Sequence, residues 1–196
     1  MIEETTSNWA CVTDIMKEKP PLALGKDTSQ WIENPREMLS VLSYYKFACK
    51  MIGPHKKVLD VGCREGVGTW VMAKECGFAK GIDTDAQAIS IAQANFSDPS
   101  IAFSEKELPD SLYDGVVCFN PNLDLSSIAT HVKKEGLLVV GGASLQQLEK
   151  KMAQHFAHIF LFSAMEGAIL TGHIPSAPYF IALCCKKKTY SRLNLK

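Results

Sequence analysis

The spacing of apolar residues changes period close to residue 57. Ahead of it, Met38, Leu39, Leu42, Tyr45, Phe47 and Met51 fall largely at helical spacing, with Asn34 and Pro35 placed as cap and first-turn residues. This predicts an N-terminal helical cap over 1–55. From Lys57 onward short apolar runs alternate with helical patterns. Strands are expected at 57–62, 79–83, 100–105, 113–119, 136–142, 158–163 and 179–188. Helices are expected at Val67–Cys76, with Gly77 as its stop, and at 85–96, 125–133 and 145–156. Such alternation predicts an α/β fold over 56–188, with a doubly wound, mostly parallel sheet of seven strands and a short tail at 189–196. About fifteen residues, including Gly167, Gly172, Pro175 and Pro178, separate the last two strands. A link of that length returns the chain antiparallel, so the last strand is expected to oppose its predecessor.

At 196 residues the chain supports one domain with a sizeable core. Lys plus Arg and Asp plus Glu both number 21, so no strong field draws the protein to nucleic acid or an anionic membrane, and neither partner is expected. The seven cysteines include no C-x-x-C pair, which points to free thiols in a reducing cytoplasm rather than to disulfides or a metal site. The start, MIEETTSNWA, lacks the cationic and apolar regions of a secretory signal. Near the end, YFIALCC has seven apolar residues, suited to a buried strand and far too few to span a bilayer. A soluble cytoplasmic protein is expected.

The first strand runs into VLDVGCREGVGTW, with glycines at 62, 66 and 68. A dinucleotide fingerprint counted from Gly62 requires glycine where Arg64 and Val67 stand, which speaks against NAD or FAD. Asp60, Gly62 and Gly66 instead resemble the D-x-G-x-G-x-G loop of Rossmann-like S-adenosylmethionine-dependent methyltransferases, with Arg64 in place of the middle glycine. Asp83, in GIDTD, lies 21 residues beyond Gly62, where an acid can accept from both hydroxyls of a ribose. By itself Asp83 could equally cap the next helix, with Asp85 as its competitor.

The resemblance covers about 55–188 and implies S-adenosylmethionine as cofactor. Its implied contacts are Asp60, Gly62, Cys63, Arg64 and Gly66 in the loop, Asp83 and Thr84 after the second strand, Glu105 or Lys106 near the adenine, and Phe119 and Asn120 after the fourth strand. Arg64 either folds away, pairs near the pocket, or obstructs it.

The acceptor is less constrained. FNPNLD shares Asn120-Pro121 with the N-P-P-aromatic motif of amino-methylating enzymes but lacks its second proline and its ring, so an ordinary Asn-Pro turn is the better reading. Oxygen methylation benefits from a base, and His173, in the link to the last strand, is the catalytic candidate. Tyr44 and Tyr45 are placed to line the pocket or pack into the core. The segments WIENPREMLSVLSYYKFACKMI and FSAMEGAILTGHIPSAPYFIALCC resemble a bacterial methyltransferase group associated with surface polysaccharide and nucleotide-sugar biosynthesis. That implies a sugar or other small-molecule acceptor, with methylation on oxygen favoured over nitrogen. In that group a longer segment after strand five covers the substrate, and this chain lacks it. Its absence, with Arg64, motivates the rival expectation of a catalytically silent, cofactor-binding or scaffold protein.

Overall fold

A computed structural model describes residues 23–105, 108, 110–120 and 122–188. Among the described residues two helices, α1 (Lys26–Glu33) and α2 (Pro35–Ile52), precede the sheet, separated by the single residue Asn34; positions 1–22 of the expected helical cap lie outside the described residues. Asn34 holds the cap position of α2, but its side chain makes no capping bond; Pro35, in the first turn, supplies the preset backbone angle. The core then runs β1 (Lys56–Val61), α3 (Val67–Cys76), β2 (Gly77–Asp83), α4 (Ala86–Asn95), β3 (Ile101–Glu105), β4 (Tyr113–Cys118), α5 (Leu125–Thr130) and β5 (Val132–Gly142). After α6 (Leu145–Met152) come β6 (Phe156–Met165), β7 (Ala168–Thr171) and β8 (Tyr179–Lys187).

The sheet order is β3-β2-β1-β4-β5-β8-β6-β7. The pairs from β3 to β5 are parallel, and β8 runs antiparallel between β5 and β6, as expected for the last strand. Among the described residues the sheet has eight strands rather than seven. β6 turns at Glu166 and Gly167, whose φ angles of 51° and 80° suit a two-residue hairpin, and β7 pairs back along β6 from Met165 to Phe162. With one charged turn residue and a four-residue strand, this hairpin shows little apolar alternation in the sequence.

Alternation along the strands divides the core. Leu59, Val116, Cys118, Leu138, Val140 and Ala182 face α5 and α6, whereas Val58, Val117, Val139 and Ile181 face α2 and α3. Strand order reverses between β1 and β4, and the loops leaving those strands open the ligand crevice of such sheets.

Candidate functional site

The loop after β1 is drawn onto the end of β2: the Gly62 and Cys63 N–H groups both donate to the Ile82 carbonyl, at 2.9 and 3.1 Å. Positive φ recurs at every second residue, at Gly62 (80°), Arg64 (52°) and Gly66 (82°). Arg64 therefore adopts the backbone form of the glycine it replaces, a conformation that costs an L-residue roughly 1–2 kcal/mol. Its N–H donates to Asp83 Oδ2 at 2.8 Å. Its guanidinium Nε meets Asp27 Oδ2 at 2.7 Å, leaving the side chain at the rim of the site and 65% exposed.

The neighbouring Glu65 is buried and turned toward α1. Its carboxylate accepts the N–H groups of Asp27 (2.7 Å) and Thr28 (2.9 Å) and the Thr28 hydroxyl. These backbone donors lie in the first turn of α1 and have no partner within the helix, so Glu65 caps α1 from across the molecule. Burial raises the Asp27 pKa, and the Arg64 guanidinium opposes that rise.

Asp60 is fully buried beneath the loop and accepts from Thr69 Oγ1 at 2.7 Å and from the Tyr45 hydroxyl at 3.2 Å. Burial pushes its carboxyl up to about 7, against the lowering effect of both hydroxyl donors. Tyr45 reaches Asp60 because Gly68 presents no Cβ; a methyl there would collide with the Tyr45 ring. At the end of β2, Asp83 Oδ1 accepts the Asp85 N–H at 3.0 Å, while Asp85 itself caps α4. The two acids thus divide the roles, and each Asp83 oxygen retains a free lone pair.

Two cavities meet at Gly62 and Asn120. One, of about 310 Å³, is lined by Asp83, Thr84, Leu108, Leu123, Asp124, Ser127 and Ile128 among others. The second, of about 460 Å³, lies beneath α1 and is walled by the rings of Trp31, Tyr44, Tyr45, Phe119 and Tyr179, with Asp27, Cys63, Arg64, Glu65 and Gly66 beside them. Tyr44 and Tyr179 stack at 5.1 Å and 7°, and Phe119 meets Tyr45 edge-on at 5.0 Å. The Tyr179 hydroxyl donates to the Phe119 carbonyl at 2.6 Å, tying the start of β8 to the end of β4. Burial pushes up the Tyr179 phenol and the Cys63 thiol.

Of the residues expected at the site, Gly62, Cys63, Arg64, Gly66, Asp83, Thr84, Phe119 and Asn120 line one cavity or the other. Asp60 lines neither, because both its oxygens are engaged under the loop. Glu105 pairs beside Asp83 in the sheet but is exposed and outside both cavities, and Lys106 lies outside the described residues. His173 is exposed and outside both cavities, its ring 5.6 Å from Phe180. The cause is the β6–β7 hairpin. It carries the chain back from the strand edge to Phe162, where Ser163 Oγ donates to the Gly172 carbonyl and accepts the Ile174 N–H, both at 2.8 Å. Asn120 makes the ordinary turn, accepting the Asn122 N–H on its carboxamide oxygen at 3.1 Å.

Among the described residues no group of His, Cys, Asp and Glu side chains could hold a metal ion, and no helix is long and apolar enough to cross a membrane. Sequence reasoning missed Asp27, Trp31, Glu65, Leu108 and Tyr179. Only Glu65, next to the glycine pattern, stood near a legible signal.

This architecture is the Rossmann-like methyltransferase fold. A TehB-like S-adenosylmethionine-dependent methyltransferase from Corynebacterium glutamicum superposes with a TM-score of 0.64 at 16% identity, covering 81% of this chain and 97% of that one. The N-methyltransferase NodS from Bradyrhizobium japonicum, in complex with S-adenosyl-L-homocysteine, gives 0.62 at 16% identity over 83% and 93%. In sequence, the chain is similar to a ribosomal protein L11 methyltransferase from a Nitratiruptor species, 26% identical over 165 residues, which is 80% of this chain and 55% of that protein. The chain thus spans about half the length of that curated relative. No family model matches it.

Proposed function

We propose that the protein is an S-adenosylmethionine-dependent methyltransferase acting on a small molecule. The observation that carries this reading is the pair of cavities joined at Gly62 and Asn120, one beside a ribose-type acid and the other walled by rings. The residues fit the cofactor. Asp83 offers a free lone pair on each oxygen for vicinal hydroxyls, Leu108 and Ile128 give apolar surface for a base, and the Gly62–Gly66 loop lets backbone approach an amino-acid tail. A Cβ on Gly62 would make ordinary contacts, 3.4 Å from Leu123 and 3.5 Å from Asn120, so it is the φ of 80° that favours glycine there. The bound cofactor supplies an electrophilic methyl group on sulfur. The chain's own contribution is to orient and to exclude water, and orientation alone supplies a large share of a two-substrate rate.

The sequence resemblance of two segments to a surface-polysaccharide group favours oxygen of a sugar derivative as acceptor, with His173 as base, but none of the proteins compared above belongs to that group by its description. The position of His173 outside both cavities weighs against that part of the proposal. The silent-scaffold alternative rests on Arg64 and on the missing lid. Arg64 pairing with Asp27 at the rim, and α1 above the larger cavity, weigh against it.

Thermal unfolding with S-adenosylmethionine, S-adenosylhomocysteine or NAD tests the reading. A ligand at about 100 times its dissociation constant stabilises by about 2.7 kcal/mol, and the midpoint is expected to rise by about 5–10 °C with the two sulfur compounds alone. Asp83→Asn should weaken that binding by about tenfold or more, through loss of charged hydrogen-bond acceptors. A rise with NAD alone, or with none of the three, would reject the methyltransferase reading.

A further inference from the structure

The charges around the crevice are one-sided. Among the described residues lining the two cavities, Asp27, Glu65, Asp83 and Asp124 are acids, and Arg64 is the one cation. Asp27 and Glu65 are 6% and 5% exposed, whereas the Arg64 side chain is 65% exposed and bound to Asp27. Asp83 and Asp124 belong to the smaller cavity, and Asp27, Glu65 and Arg64 to the larger, which is also the one walled by five rings from four parts of the chain; aromatic faces attract cations. A phosphorylated or carboxylated acceptor would meet carboxylates and π faces here, with no uncommitted cation among those residues to receive it. An organic ammonium would meet its complement.

Resting on the methyltransferase reading for its chemistry, we infer that the ring-walled cavity is an acceptor site for a small, ring-bearing organic amine, methylated on nitrogen. The amine enters as its ammonium and loses one proton to water. Its lone pair then forms the N–CH3 bond as the S–CH3 bond breaks with its pair passing to sulfur, and the product leaves as the N-methylammonium. No protein base is required, which agrees with the absence of histidine from the lining of either cavity among the described residues.

Calorimetric titration of the full chain, with and without S-adenosylhomocysteine, distinguishes the possibilities using three probes of one skeleton: 2-phenylethylamine, 2-phenylethanol and phenylacetate. The amine should bind at least about tenfold more tightly than the other two. Tyr44→Leu, which removes one stacked ring, should weaken it about tenfold, and Tyr44→Phe, which keeps the ring, should restore it. Phenylacetate or phenylethanol binding as tightly as the amine, or no probe binding, overturns the inference. A blocked lysine peptide binding more tightly than phenylethylamine overturns the small-molecule assignment. If the amine binds while S-adenosylhomocysteine does not, the amine site stands and the methyltransferase reading fails.

Discussion

The two cavities differ in how they are built. The smaller draws on the ends of β1, β2 and β4 and the first turns of α5, elements that the sheet register holds in place. The larger is assembled from α1, α2, the glycine loop, the segment after β4 and the start of β8, parts far apart in the chain. One end of the crevice is therefore a property of the fold, and the other a property of this chain's long-range contacts. Asp60 lies beneath the glycine loop, held there by Tyr45, whose ring walls the larger cavity.

Perturbing that shared support should have the largest effect. With its carboxyl raised from 3.8 to about 7, Asp60 keeps a proton in the folded state that the unfolded chain releases above about pH 4. Stability from this group is fully present below pH 4 and is lost as pH rises to about 7, by at most about 4 kcal/mol. Urea unfolding at intervals from pH 4.5 to 8 should show the decline, and Asp60→Asn should flatten it. Identical slopes in the two proteins would reject the buried-acid reading.

Gly68→Ala attacks the ring-walled end through the same tyrosine. Its methyl would displace the Tyr45 ring from Asp60 and Phe119, and overpacking of this kind costs about 1–3 kcal/mol. A midpoint lowered by about 3–10 °C is expected, with a larger loss of amine binding than of S-adenosylhomocysteine binding. Equal losses would show that the two ends are not separable.

The same division explains what was legible in the sequence. Gly62 and Asp83 could be read because they sit at strand ends, and Gly66 because it stands at the left-handed start of α3, places where turn geometry and register dictate residue type. Arg64 broke the pattern by side chain while keeping its backbone angle, and composition carries no record of φ. His173 misled because the four-residue β7 was unseen, and without it the link stays at the ligand edge. Tyr179 was read within a strand, but its place opposite Tyr44 depends on β8 lying between β5 and β6. Glu65 capping α1 is a contact across 38 residues, beyond any local periodicity.

That contact offers the finest test of the comparison. Replacing Glu65 with Gln keeps the shape but leaves one neutral acceptor oxygen for the donors at the start of α1, costing about 1–2 kcal/mol locally. Arg64→Gly has opposing effects: relief of the left-handed backbone gains about 1–2 kcal/mol, and leaving the buried Asp27 without its cation costs about 1–3 kcal/mol. Global stability of the glycine variant should thus change by no more than about 2 kcal/mol, because the two effects nearly offset. Amide exchange in α1 should accelerate most in Glu65→Gln, while protection of α3, which packs on the sheet, stays as it was. Unchanged α1 protection in Glu65→Gln would mean that α1 is held by its apolar contacts alone. The glycine loop would then have no mechanical hold on the cover of the larger cavity, and the two ends of the crevice would be coupled only through Asp60 and Tyr45.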